Sequence, residues 1–289
     1  MEQEEFLVSA SDAGMYLVDF ILQHSVLLTS RNAAKTAHKQ NRVLVNGAPQ
    51  GTGYRVAAGE LVLLEPSAGP APKAYRMELA IPYQDDDMAV VYKPPGLPTS
   101  GNAFRTLQNV LVHALPPSPL PDSLAWPRPV HRLDGPTQGL LMVARTQTAL
   151  TQLGHSLASR QVQKVYHAIV HGLLSEAQDC QHPIAGQEAH STVAPVATYL
   201  HTPRGPRSLV RLMPHTGRTH QLRIHLAQLG HPILGDVQYQ EPEKTLQHKG
   251  LFLAATQLVF PHPRTGEMVE VTAPIPEKFY RFLEQRGKG

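Results

Sequence analysis

Apolar positions recur along the chain at two periods, one near 3.6 residues and one near 2. LVDFILQH at 17–24 and RNAAKTAHK at 31–39, the latter behind Ser30 as an N-cap, read as helices. VLVNG at 43–47 reads as a short strand entering a turn, and ELVLLE at 60–65 as a second strand. Further on, MAVVYKPPG at 88–96 and GLLMVA at 139–144 are continuous apolar runs of the kind that form buried strands. In TQTALTQLGHSLASR the residues Ala149, Leu150, Leu153 and Leu157 fall at helical spacing, whereas KVYHAIV at 164–170 alternates and is rich in β-branched residues, hence a strand. RTHQLRIHLAQL at 218–229 carries one stripe of Leu222, Leu226 and Leu229. Ile224 stands about 200° from Leu222, so this helix is expected to be covered on two sides and to end at Gly230.

Proline divides these elements. PSAGPAPKAYR at 66–76 reads as a hinge, which predicts a small first domain over 1–65, a linker over 66–77 and a large second domain over 78–289. Six prolines between Pro116 and Pro129 predict a rigid connector. No internal repeat is found, and the element order lacks the strict alternation of a doubly wound fold.

Composition narrows the setting. Of 289 residues, 42% are hydrophobic, enough to bury a full core. The lone cysteine, Cys180, cannot form an internal disulfide or a cysteine-rich zinc site, which points to the reducing cytoplasm. The acidic start is unlike a secretory signal, and no apolar run approaches the ~20 residues of a membrane span.

The net charge is only +3, yet its sign alternates in blocks. Residues 1–30 hold five acids and no Lys or Arg, whereas Arg31, Lys35, Lys39, Arg42 and Arg55 follow without an acid. Between Asp122 and Glu176 the only carboxylate is Asp134, among Arg128, Arg132, Arg145, Arg160 and Lys164. Between Glu188 and Asp236 there is none, while Arg204, Arg207, Arg211, Arg218 and Arg223 accumulate. Segregated arginine suits a polyanion partner, because each phosphate neutralised releases counterions; the plainer reading leaves the acids elsewhere on the folded surface.

Several chemistries lack what they require. No glycine-rich phosphate loop follows a strand, and GHSLA at 154–158 lacks the second glycine of a nucleophile elbow. His215, His220, His225 and His231 are spaced by five and six, off a single helix face, and no HExxH occurs; phosphate contacts, caps and core packing are the expected uses, and no metal. What remains is Asp134, in RPVHRLDGPTQGLLMVA. Alone it reads as a turn former in Asp-Gly-Pro, but its stretch is otherwise free of carboxylates and rich in arginine. Arg223 lies between the two covered faces of its helix. It either snorkels to solvent or is buried against a carboxylate.

At these residues the chain resembles the RluA-type pseudouridine synthases, which isomerise uridine in ribosomal and transfer RNA. The likeness spans roughly 78–275 and rests on MAVVYKPPGLPTS (88–100), HRLDGPTQGLLMVA (131–144), KVYHAIVHG (164–172), TGRTHQLRIHLAQLGHPILGD (216–236) and LVFPHPRTGE (258–267). Residues 14–64 also resemble the small RNA-binding module first described in a small-subunit ribosomal protein, with SRNAAKTAHKQNRVLVNG at 30–47 as its signature. The resemblance implies an α+β fold: a mixed, mostly antiparallel sheet with flanking helices, preceded by a small α/β RNA-binding module. It implies that Asp134 is the catalytic aspartate, that Tyr166 stacks on the target base, and that Arg223 pairs with the aspartate. Arg132 would displace the target nucleotide, and Arg218, His220 and Gln221, opening the helix, would contact phosphate, as would Arg31, Lys35, Lys39 and Arg42 in the first module. It further implies a monomeric cytoplasmic enzyme acting on rRNA or tRNA without metal, redox cofactor or nucleotide. The alternative is a catalytically silent RNA-binding or ribosome-assembly factor on the same fold. The chain departs from the family pattern at Gly135, Pro136 and Gln138, and carries Ala254 where a histidine is common.

Overall fold

A computed structural model describes every residue except 1–3, 26–27, 29, 40, 52, 66–71, 203–204, 241–248 and 285–289. The first half of the expected linker and Arg204 therefore lie outside the described residues. The chain falls into two compact units, Met1–Ala71 and Pro72–Gly289.

In the first unit β1 (Glu4–Leu7), α1 (Leu17–His24), α2 (Arg31–Lys39), β2 (Val43–Val45), β3 (Ala48–Pro49) and β4 (Leu61–Leu64) follow in order. The strands form an antiparallel sheet, β1-β4-β2-β3. The apolar stripes of the helices meet it: Leu17, Phe20 and Ile21 of α1 and Ala34 and Ala37 of α2 pack with Val43, Val45, Val62 and Leu64. Ser30 caps α2, its Oγ accepting the Ala33 N–H at 3.2 Å. The basic block is only partly available to a ligand. Arg31 pairs with Asp19 at 2.9 Å, and Arg42 donates through Nε and Nη2 to the Glu65 carbonyl, whereas Lys35 and Lys39 are exposed.

The second unit runs β5 (Ala80–Gln84), β6 (Met88–Lys93), α3 (Leu107–Ala114), β7 (Ser123–Pro129), β8 (Gln138–Thr146), α4 (Gln147–Ala158), β9 (Gln163–His171), β10 (Gln178–Cys180), β11 (Ser191–Tyr199), β12 (Arg207–Pro214), α5 (Gln221–Gln228), β13 (Leu253–Pro261), β14 (Met268–Thr272) and α6 (Glu277–Leu283). Its sheet is ordered β10-β11-β12-β9-β13-β8-β6-β5, with β14 beside β13 and β7 beside β8. Every described pairing is antiparallel except β13 with β8, so the unit is α+β with a mixed, mostly antiparallel sheet.

Alternation along β6 and β8 builds a core on each face. Ala89, Val91, Leu141 and Val143 pack with Leu107, Val110 and Leu111 of α3 and Leu222 and Leu226 of α5. Met88, Val90, Leu140, Met142 and Ala144 point the other way, toward Ala149 and Leu153 of α4. Burial on both faces explains why these strands read as unbroken apolar runs rather than as alternation.

Two expectations need correction. The segment expected to be a rigid connector contains β7, which pairs only with β8 among the described strands; Pro127 falls where that ladder is irregular, between Ser123 and Arg128, and Pro129 is the strand's last residue. Nor is every segregated arginine free for a polyanion. Arg145 is buried, its guanidinium held by the carbonyls of Asp85, Pro116 and Pro117. Arg207 is buried as well.

Candidate active site

The parallel junction of β8 and β13 determines where the aspartate sits. Gly139, with φ +122°, faces Ala255 so closely that a Cβ would stand 2.2 Å from its carbonyl oxygen. Only glycine admits this approach. The chain reaches the junction through the turn carrying Asp134, whose carbonyl accepts the Thr137 N–H at 3.0 Å.

Lys93, at the end of β6 and fully buried, anchors that turn. Its ammonium donates to the carbonyls of Pro94 (3.0 Å), Leu97 (2.8 Å) and Gly135 (3.1 Å). Burial pushes the Lys93 pKa down to about 8, against the opposing charge of Asp134. Thr99 exchanges two hydrogen bonds with the Leu133 backbone. His131 Nε2 accepts the Met142 N–H at 3.1 Å, and burial pushes its imidazole down to about 3, so it is a neutral structural acceptor.

Asp134 is partly exposed at the wall of a cavity of about 1110 Å³. Among the described lining residues it is the only carboxylate, facing Arg132, Arg160, Lys164, Arg211, Arg218 and Arg223. No hydrogen bond or ion pair engages the side chains of Arg132, Lys164 or Arg211 among the described residues, and Arg132 is exposed. Tyr166, on β9, lines the cavity with 8% of its surface exposed and also belongs to the core. Burial, with the charge of Asp134, pushes its hydroxyl pKa up.

Arg223 is buried, and its principal partner is not the one expected. It forms a bidentate pair with Asp236, Nε to Oδ2 at 2.7 Å and Nη2 to Oδ1 at 2.8 Å, while its Nη1 stands 3.6 Å from Asp134 Oδ2. Burial alone would lower the Arg223 pKa, but the bonds to Asp236 and the charges of both acids raise it. Asp236, 1% exposed, also accepts the N–H groups of Gln238 and Tyr239. It thus holds the guanidinium so that one edge remains for Asp134.

The helix opening also differs from expectation. α5 starts at Gln221, and its N-cap His220 is forced into the left-handed region (φ 56°, ψ 19°) with no side-chain cap. That backbone turns the imidazole onto the aspartate: Nε2 lies 3.7 Å from Asp134 Oδ1, and Nδ1 lies 2.9 Å from the Tyr239 hydroxyl. Gln221 is not available to phosphate. Its buried amide accepts from Thr216 and the Arg218 N–H and donates to the His190 carbonyl and Ser191. Arg218 keeps its guanidinium on the cavity, with Nε donating to the Glu188 carbonyl at 2.8 Å.

Lys93, Asp236 and Tyr239 were missed in the sequence. A signal existed for two of them. Lys93 is a charge at the end of an apolar strand, and Asp236 ends the acid-free stretch that contains Arg223, which made it a second candidate carboxylate.

Comparison with known proteins bears on this geometry. The family model for RNA pseudouridylate synthase matches residues 87–228. An uncharacterized RNA pseudouridine synthase of Bacillus subtilis, YlyB, is 35% identical over 282 residues, covering 90% of each chain. The ribosomal large subunit pseudouridine synthase D of Haemophilus influenzae is 34% identical over 237 residues, covering 73% of this chain and 72% of its own. Among solved structures, human RNA pseudouridylate synthase domain containing 1 superposes with a TM-score of 0.58 at 27% identity, over 72% of this chain and 86% of that one.

Proposed function

Because the chain belongs to the RNA pseudouridine synthases, we propose that it isomerises a particular uridine of rRNA or tRNA, with Asp134, Tyr166 and Arg223 as its catalytic group. The observation that carries this reading is one carboxylate, alone among the described lining residues, in a cavity that also presents six Lys and Arg side chains and the Tyr166 ring. Arg223 and His220 each approach a different oxygen of Asp134. This leaves the carboxylate oriented toward a nucleotide entering the cavity.

Asp134 initiates detachment of uracil from C1′ of its ribose. The freed base turns against the Tyr166 ring, whose apolar face keeps contact throughout the rotation. Uracil then rejoins C1′ through C5, the C5 proton leaves, and N1 gains a proton, so composition is conserved and no oxidant, reductant or group donor enters the balance. Because C1′ and C5 are out of reach in a stacked base, the target nucleotide must leave the stack, and Arg132, unpaired among the described residues, enters its place.

Arg218 contributes a phosphate contact at the cavity, and the first unit adds affinity through the exposed Lys35 and Lys39, together with Arg31 and Arg42. The enzyme acts as a cytoplasmic monomer. Among the described residues no helix is long and apolar enough to cross a membrane.

Pseudouridine mapping across all RNAs, in cells with and without the gene, tests the reading. Loss of the mark at one or a few rRNA or tRNA positions is expected. Identical maps would overturn it.

A further inference from the structure

Two histidines that line the cavity, His190 and His215, have no part in the isomerisation, and Asp179 stands beside them. Asp179 lies on β10, His190 immediately precedes β11, and His215 immediately follows β12. Strand register brings them together: Asp179 faces Thr192 across β10 and β11, and the His215 N–H donates to the His190 carbonyl at 2.9 Å. One potential ligand atom of each residue lies within 4.8 Å of the other two. His190 Nε2 is 2.6 Å from Asp179 Oδ1, and the two imidazoles lie side by side with centroids 4.3 Å apart.

The histidine spacings argue against a metal on one helix face, and the structure gives each of the four histidines a hydrogen-bond partner. His220 meets Tyr239, His225 meets Ser191 and the His182 carbonyl, and His231 meets the His171 carbonyl. His215 meets Thr192, with Nε2 2.9 Å from Oγ1, and is alone among the four in also lying beside Asp179 and His190 across adjacent strands, an arrangement that linear spacing does not reveal.

We propose that Asp179, His190 and His215 bind one divalent transition-metal ion of the zinc class. Two imidazoles and one carboxylate form a borderline-soft donor set, suited to zinc or cobalt rather than to magnesium or calcium. Tetrahedral zinc, with ligands at roughly 2.0–2.2 Å, sets its donor atoms about 3.3 Å apart. The three donor atoms already lie within 4.8 Å of one another, so each has only a short distance to close. Asp179 and His215 are exposed, which gives the ion an entry path and leaves a fourth position to water. The carboxylate is already oriented by neighbours of the kind that support metal ligands: Thr192 donates to Oδ1 at 3.1 Å and Gln181 to Oδ2 at 2.9 Å. Among the described residues no Lys or Arg pairs with Asp179. Binding replaces the hydrogen that His190 shares with Asp179, so it releases protons.

The test uses untagged full-length protein and the metals alone. Titration with Co²⁺ should saturate at one equivalent with the visible absorption of a tetrahedral ion, and Zn²⁺ should displace it. Asp179→Asn and His215→Gln, at exposed positions, should each weaken binding by more than about tenfold while thermal melts stay unchanged. Imidazole nitrogen resonances of His190 and His215 should shift on Zn²⁺ addition. Absence of a stoichiometric site, or equal binding by wild type and both variants, would overturn the proposal.

Discussion

Asp236→Asn tests the arrangement that holds Arg223 beside the aspartate. The substitution keeps the shape of the side chain and removes its charge, leaving a guanidinium that is 5% exposed with half of its bidentate pair. Charge-assisted hydrogen bonds contribute about 1.5–3 kcal/mol each, and breaking a buried pair from one side costs about 3–5 kcal/mol. The amide oxygen retains one acceptor, so a loss of about 3 kcal/mol is expected. The guanidinium then has one remaining carboxylate within reach, Asp134 at 3.6 Å, and its closure onto that group should slow turnover more than it weakens RNA binding. Urea denaturation gives the stability, and tritium release from RNA carrying 5-tritiated uridine, at saturating RNA, gives the turnover. Arg223→Met completes a double-mutant cycle. Removing both charges should cost about 2–3 kcal/mol less than the sum of the single losses. Additivity within about 0.5 kcal/mol, or an Asp236→Asn enzyme with wild-type stability and turnover, would refute the reasoning.

Three further outcomes follow from the same geometry. Gly139→Ala forces a Cβ into the Ala255 carbonyl at a φ of +122°, so it should cost at least about 2–4 kcal/mol and abolish activity by shifting the aspartate turn; a melting temperature within a degree of wild type would contradict this. Lys93 has its folded pKa depressed to about 8, so its buried charge is destabilising below that pH and the cost is relieved as pH rises toward about 10.4. Wild type should therefore gain up to about 3 kcal/mol relative to Lys93→Met across that window in paired urea melts, and a pH-independent difference would exclude the assignment. Tyr166→Leu should lose turnover by orders of magnitude, whereas Tyr166→Phe, which keeps the ring face, should bind RNA almost normally; a well-folded, active Tyr166→Leu enzyme would remove the stacking role.

α1, α2, α4 and α5 and the strands β2, β4, β6, β8 and β9 were legible because their signals are local: Ser30 before α2, Gly230 after α5, unbroken apolar runs for β6 and β8; α3, α6 and the remaining strands were not read. β7 was hidden because two prolines outweigh a strand signal, although Pro127 falls in an irregular stretch of the ladder and Pro129 at the strand's end. In the site, the isolation of Asp134 among arginines was visible along the chain. The partner of Arg223 was not, because burial selects a carboxylate without saying which one, and proximity chose Asp236. The role of His220 depends on a left-handed backbone at a non-glycine residue, a strained conformation with no composition cue. Gln221 looked like an exposed polar residue at a helix start, yet four hydrogen bonds to its amide seal it inside the fold.

The most direct test of the central claim is tritium release by Asp134→Asn. The cavity cations that would hold RNA are untouched by the change, so binding should remain within several-fold of wild type while release from 5-tritiated uridine falls to background. Release by the variant at a rate comparable to wild type would contradict the assignment of Asp134 as the residue that starts the reaction.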